Sequence, residues 1–363
     1  MPSLFDPLQL GAITAPNRIF MAPMTRARGT RDHVPTEIMV DYYRARADAG
    51  LILTEAVGIS REGLGWPYAT GLWTPEQIAG WRKITDAVHD AGGRIMVQLW
   101  HMGRAVHSSF LGGQPPVSAS ATTAPGHAHT YDGRQPYDEA APLRLDEIPR
   151  ILGDFHHSAR NAIEAGFDGA QIHAANGYLI DQFLRDSANH RDDAYGGSIP
   201  NRLRLLREAT VAVADAIGAD RTGVRLSPNG ETQGVRDSDP LPLFTAALEM
   251  LSGLGIGHVE LREPPVHGSF GVGETAPLAD QLRPHFNGPL LLNSDFDAAQ
   301  AQAALDAGTG DAVTFGRPFI SNPDFVHRVR DGTPLAPGDV ATWFTQGSEG
   351  YTDYPAATVQ AAG

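Results

Sequence analysis

The stretch IHAANGYLIDQFL, Ile172 to Leu184, gathers His173, Asn176 and Tyr178 at the end of an apolar run. An imidazole, a carboxamide and a phenol can hold a polar atom of a ligand or move a proton; the plain alternative is a polar surface loop. His173 and Asn176 stand three apart, which on a straight strand would turn them to opposite faces. The strand must therefore end between them, and Asn176-Gly177 is a turn signal. Other chemistries are closed off by what the chain lacks. It has no cysteine, which excludes disulfides, thiolate nucleophiles, cysteine-ligated zinc and iron–sulfur clusters. Its one lysine, Lys83, falls in a helical pattern, which argues against Schiff-base catalysis. There is no GxSxG elbow. His127 and His129 have chelating spacing but lie in a long irregular stretch, so no catalytic metal is expected.

These side chains need a scaffold, and 363 residues with 42% hydrophobic and 19% charged content can build a sizeable core. A net charge of −14 argues against a nucleic-acid surface. No apolar run approaches the ~18 residues of a membrane span, and the start MPSLFDPLQLGAI lacks the basic-then-apolar order of a secretory signal. A cytoplasmic monomer or homodimer acting on a small molecule is the expectation.

Eight short apolar runs read as strands: RIFMAP from Arg18, GLILTEAV from Gly50, RIMVQLW from Arg94, DGAQIHA from Asp168, TGVRLS from Thr222, GHVELRE from Gly257, PLLLN from Pro289 and DAVTFGR from Asp311. Most do not alternate, as a parallel sheet covered on both faces requires. Helical patterns separate them: Pro35 to Ala49, Thr74 to Ala91, Glu147 to Ala165, Asn201 to Ile217, Leu241 to Leu251, Thr275 to Phe286, Asp297 to Ala307 and Pro323 to Arg330. Eight strand–helix alternations without a linker predict an α/β fold, a single (β/α)8 TIM barrel over 1–363. Residues 102–146, rich in Pro, Ser, Ala and Thr, are expected to be a long capping loop inserted after strand 3. An open doubly wound sheet is the second choice, but no GxGxxG follows the first strand.

A barrel carries its chemistry on the loops after the carboxyl ends of its strands. Here those ends deliver amide, imidazole, phenol and guanidinium groups, a set that suits a bound cofactor doing the hard chemistry. Strand 8 delivers Gly316-Arg317. The loops after strands 7 and 8 commonly hold a phosphate, where glycine admits the anion to the backbone and arginine binds it bidentately.

Six segments then carry a resemblance: NRIFMAPMTR (Asn17 to Arg26), VQLWHMGR (Val97 to Arg104), GFDGAQIHAANGYLIDQFL (Gly166 to Leu184), YGGSIPNRLRLLRE (Tyr195 to Glu208), FGRPFISNPDF (Phe315 to Phe325) and YTDYP (Tyr351 to Pro355). In this order, over nearly the whole chain, they resemble the Old Yellow Enzyme family of flavin-dependent ene-reductases, in its bacterial alkene reductase and N-ethylmaleimide reductase branch. The resemblance implies FMN as cofactor and NADPH or NADH as reductant, in a ping-pong cycle on enones, enals, maleimides or nitroalkenes. Pro23, Met24 and Thr25 would line the isoalloxazine, with Ala56 and Gln98 on its pyrimidine side and Arg225 beside N1 and O2. Arg317, with the backbone near Ser294, Asp295 and Gly316, would hold the phosphate. His173 and Asn176 would donate hydrogen bonds to the substrate's carbonyl or nitro oxygen while hydride reaches Cβ, and Tyr178 would protonate Cα. Trp100 would touch substrate, and Tyr68, Tyr351 and His101 would line the pocket mouth.

The chain departs from the family's pattern at Ser294, where glycine is common, and at Asp295, where a small or amide residue is common. A carboxylate there would cost phosphate binding unless it points away or pairs. Two rival readings remain at this point: a cofactor-free lyase or isomerase using Tyr178 and His173 as acid and base, and a flavin-binding barrel without turnover.

Overall fold

The computed structural model of the chain describes residues 1–266, 273 and 275–356. Each of the eight apolar runs becomes a strand: β1 Ile19–Met21, β2 Ile52–Gly58, β3 Ile95–Trp100, β4 Gly169–His173, β5 Thr222–Leu226, β6 His258–Arg262, β7 Leu290–Asn293 and β8 Ala312–Phe315. Neighbours in sequence pair in parallel. β8 pairs back onto β1, with Val313 opposite Ile19 and Phe315 opposite Met21, which closes the barrel. Every strand residue except Asn293 is buried, the reason these runs read as continuous rather than alternating.

Helices α1 Glu37–Arg44, α2 Pro75–Asp90, α3 Ile148–Glu164, α4 Arg204–Ile217, α5 Pro240–Leu254, α6 Ala279–Leu282, α7 Ala298–Ala307 and α8 Phe325–Asp331 lie between and after the strands. Their starts follow from sequence. Thr74 and Gln77 form a reciprocal capping box at α2, and Asp297 and Gln300 another at α7. The buried face of α3, Ile148, Ile151, Phe155, Ala159 and Ala162, keeps the three-to-four spacing of an amphipathic helix. The helix expected over 275–286 is shorter than its pattern: α6 yields to a 3-10 turn, Arg283–His285, at Pro284, which has no N–H to continue the ladder.

A hairpin of two three-residue strands, Leu8–Leu10 and Ile13–Ala15, precedes the barrel. Leu10, Ile13 and Ala15 pack against Phe20, Leu53, Met96 and Leu291 at the amino ends of the strands. That end is plugged, so the carboxyl ends are left to hold a ligand. Residues 102–146 are more ordered than a plain loop. They contain an antiparallel hairpin, His127–Thr130 with Gly133–Pro136, and a short parallel pair, Val117–Ser118 with Ala141–Pro142. Its two loop residues are Tyr131 and Asp132, and Gly133, which pairs with Thr130, takes φ +98°.

Candidate active site

The carboxyl ends of the strands open onto one cavity of about 1030 Å³. Its floor is a layer of linked polar side chains inside the barrel. Gln98 donates to Gln171 (2.8 Å), and Gln171 donates to Glu260 (2.9 Å). Thr314 donates to the other oxygen of Glu260 (2.7 Å). Arg225, 6% exposed, stands 3.3 Å from Glu260 and donates to Asn293 (2.7 Å), whose own amide donates to the Thr314 carbonyl (2.8 Å). A buried carboxylate is tolerable only because every neighbour is a donor or a cation.

The turn after β4 brings the three donors of the opening motif together. Asn176 takes a left-handed conformation, φ +58°, which its short side chain tolerates. Gly177 follows at φ +75°; a Cβ there would lie 2.3 Å from the Thr232 carbonyl, so only glycine fits. Three neighbours fix the turn. Asn176 N–H donates to Ser227 Oγ (2.8 Å), Gly177 N–H donates to Asp181 (2.9 Å), and Asp181 is ion-paired with Arg185 (2.7 Å). Tyr178 then becomes the N-terminal cap position of the helix Leu179–Leu184. Its ring meets His173 edge-on at 4.9 Å and Trp100 edge-on at 5.0 Å, while Trp100 and His173 stack 6.4 Å apart.

The electrostatics of this group are asymmetric. Burial, with the guanidiniums of Arg225 and Arg262 nearby, pushes His173 well below the usual imidazole range. It is a neutral ring with a single N–H to donate. Burial, with Tyr137 adding to it, pushes the Tyr178 phenol above its ordinary value, although the Gln233 side chain hydrogen-bonds it. Tyr178 therefore keeps its proton throughout the neutral range. Burial and the like charge of Arg225 bring Arg262 down to about 10. Three buried atoms at the cavity, Trp100 Nε1, His173 Nδ1 and Asn176 Oδ1, have no hydrogen-bond partner in the protein. Orphaned polar atoms at this density mark a place where a ligand supplies the missing partners.

At the other end of the cavity the loops after β7 and β8 meet. Ser294 and Asp295 both have positive φ, +131° and +51°, a strained backbone for residues other than glycine. The Asp295 carboxylate is ion-paired with Arg317. This answers the question raised by the unusual residue at 295: it pairs.

Fourteen expected residues line this one cavity: Pro23, Met24, Thr25, Ala56, Gln98, Trp100, His173, Asn176, Tyr178, Arg225, Ser294, Asp295, Gly316 and Arg317. The three residues expected at the mouth do not. Tyr68, at φ +58°, is turned edge-on to Tyr131 at 5.2 Å; Trp66, two residues earlier, takes the place at the mouth. Tyr351 is fully buried elsewhere, stacked on Tyr42 at 4.0 Å with Arg26 and Arg28 over its ring. His101 is buried, accepts from Gly103 N–H (3.1 Å), and lies 3.8 Å from Glu62. The C-terminal segment supplies the mouth through Trp343 and Phe344 instead. Arg26 and Arg28 hold it by donating to the carbonyls of Trp343, Thr342, Glu349 and Gly350 at 2.7–3.1 Å. Phe344 meets Trp66 at 5.3 Å, and Trp66 meets His129 of the hairpin at 4.6 Å.

FMN suits these residues. The cavity has room for a three-ring cofactor and a small ligand. Donors line its walls, and an arginine stands at the end where a phosphate is expected. Among the described residues no group of three or more His, Asp or Glu could hold a metal ion, and no helix is long and apolar enough to cross a membrane.

Comparison with known proteins agrees with this geometry. The model of the NADH:flavin oxidoreductase / NADH oxidase family matches residues 3–336. An Old Yellow Enzyme homologue of Zymomonas mobilis superposes with a TM-score of 0.97 at 58% identity, over 98% of this chain and 100% of that one. Morphinone reductase in complex with tetrahydroNAD gives a TM-score of 0.93 at 43% identity, over 98% of each chain. A probable flavin mononucleotide-dependent alkene reductase of Leishmania infantum is 40% identical over 97% of both chains. A closed parallel barrel whose donor-lined cavity suits FMN, and likeness along nearly its whole length to enzymes of this kind, place the chain in the NADH:flavin oxidoreductase family, among the FMN-dependent ene-reductases of the Old Yellow Enzyme type.

Proposed function

We propose that the chain reduces the C=C bond of alkenes conjugated to a carbonyl or nitro group, with His173 and Asn176 binding the activating oxygen and Tyr178 giving the proton to Cα. The convergence of these three side chains on one cavity, with His173 Nδ1 lacking a protein partner, is the observation that carries this reading. When bound, FMN supplies the hydride, having received it from NADPH or NADH. The residues do the rest. A neutral imidazole and a carboxamide stabilise negative charge on oxygen without adding a counter-charge that would trap the product. A phenol with a raised pKa keeps its proton until charge develops beside it. Trp100, edge-on to Tyr178, limits the orientations an alkene can take. With FMN bound, Thr25 and Gln98 would lie along the isoalloxazine, Arg225 would support negative charge on the reduced ring, and Arg317 would hold the phosphate. Residues 102–146 cap the site: Phe110, Tyr131 and Tyr137 belong to the apolar cluster that includes Trp66, Trp100 and Tyr178. The cofactor-free lyase reading gives way to this one because the family is flavin-dependent.

The test separates the two half-reactions by stopped-flow spectroscopy of the holoenzyme. Tyr178→Phe is expected to slow reoxidation by 2-cyclohexenone by about 10²-fold or more, the usual worth of a positioned proton donor, and to leave reduction by NADPH near the parent rate. Equal loss in both half-reactions removes Tyr178 as the donor.

A further inference from the structure

The phosphate end of the cavity carries a feature that the donor layout does not need. Asp295 sits in the loop after β7 with φ +51°, its side chain 15% exposed, and its carboxylate ion-paired with Arg317. Asp297, two residues on, also lines the cavity, but its side chain is committed to capping α7 through Gln300 N–H (2.8 Å). Arg262, at the same cavity, is close enough to Asp295 for the carboxylate to favour its charged form. One carboxylate is thus placed among the cations on which an anionic ligand would rely.

We propose that Asp295 is a built-in counter-ion that competes with the FMN phosphate for Arg317 and sets the affinity of the chain for its cofactor. The inference rests on the placement of the phosphate at Arg317. The physical argument is one of exchange. While Asp295 and Arg317 are paired, the cation is already satisfied, and an arriving phosphate dianion must share or displace a partner held by the same chain. Asp295 then remains beside the phosphate as a like charge, which opposes binding. Riboflavin, which has no phosphate, is indifferent to this competition. Asp295 therefore lowers the preference of the site for FMN over riboflavin.

The experiment titrates the full-length apoprotein with FMN and, separately, with riboflavin, following quenching of flavin fluorescence. The parent is compared with Asp295→Asn, Asp295→Gly and Arg317→Gln. Asparagine and glycine both tolerate the backbone at 295, so a shared result excludes damage specific to one variant. Both are expected to bind FMN about tenfold more tightly, the size of effect for removing one unit charge from beside a phosphate in a water-like dielectric. Riboflavin affinity is expected to stay within about twofold of the parent, below the discrimination that one charge provides. Arg317→Gln is expected to weaken FMN binding and leave riboflavin unchanged. Unchanged or weaker FMN binding in both Asp295 variants, with Arg317→Gln weakened, overturns the counter-ion and leaves the phosphate placement standing. Unchanged FMN binding in Arg317→Gln overturns the placement and the counter-ion together.

Discussion

Replacing Arg225 by methionine keeps most of the side-chain length and removes the charge. Glu260, with no exposed side-chain surface, would then face the barrel interior with only Gln171 and Thr314 as donors. Asn293 would lose its donor at 2.7 Å. Removing one partner of a buried ion pair typically costs ~3–5 kcal/mol, because the remaining charge is left uncompensated. That is a large part of the ~5–15 kcal/mol by which most domains are stable. Adding Glu260→Gln removes the orphaned charge; the amide keeps one acceptor for two donors, so the double variant should cost only ~1–2 kcal/mol, one lost hydrogen bond and imperfect packing. The second substitution should therefore recover ~2–3 kcal/mol, a coupling visible in a double-mutant cycle. Urea unfolding of parent, both single variants and the double variant measures it, once with bound flavin and once after its removal. The expected result is a lower midpoint for Arg225→Met and partial recovery in the double variant, with and without flavin. An Arg225→Met protein within about 1 kcal/mol of the parent, or a double variant as unstable as the sum of the singles, refutes the charge-balanced floor. A deficit seen only in the flavin-bound form would assign Arg225 to the cofactor rather than to the fold.

Other outcomes can be stated briefly. Burial holds His173 neutral and Tyr178 protonated, so the rate of enone reduction by reduced enzyme should be flat from about pH 6 to 9; a titration near the ordinary imidazole value of about 6.5 would show that His173 carries charge during turnover. Asn176→Gly keeps the left-handed backbone and removes the amide, so it should weaken binding of phenol inhibitors about tenfold with little change in melting temperature; Asn176→Ala should also lose stability, and equal phenol affinity in both variants and the parent would count against the oxygen-binding role. Trp66→Ala and Phe344→Ala should each admit bulkier enones by lowering KM for them, whereas Tyr68→Ala should not; no change on opening the mouth would mean that access lies elsewhere. Burial raises Glu263 to about 7, against backbone donors at Leu278 and Ala279 that favour its charged form. Because the folded value lies above the unfolded one, its stabilising contribution is complete below about pH 4.5 and is lost as pH rises to 7, at up to ~1.4 kcal/mol per pH unit. Glu263→Gln should flatten stability against pH in that window, and an unchanged slope would remove Glu263 as its source.

Local spacing carried most of the fold into view. The eight strands are continuous apolar runs because both faces of each are covered, and β1 is recognisable from RIFMAP although only Ile19–Met21 form regular ladder. The donors after β4 were legible because one short segment contains strand end, turn and helix start. The mouth was not. Trp66 and Tyr68 are two residues apart in one irregular loop, and whether either faces the cavity depends on a positive φ at Tyr68 that no periodicity encodes. Tyr351 lies in a recognisable motif, yet its environment is a long-range stack with Tyr42, Arg26 and Arg28, so its burial is a tertiary fact. Phe344 is hidden for the same reason: its neighbour Trp343 is held by Arg26 and Arg28, more than 300 residues away in sequence. The amino-terminal hairpin has strands of three residues, too short for an alternation to register.

Arg26 and Arg28 grip a segment that is translated after all eight barrel strands. A ribosome that has released residue 338 has already exported every strand from Ile19 to Phe315, yet the carbonyls of Thr342, Trp343, Glu349 and Gly350 and the ring of Phe344 do not yet exist outside the tunnel. The barrel can close before its ligand cavity has its final wall. The last wall of the cavity is therefore also the part made last, and it is positioned by two arginines made near the start.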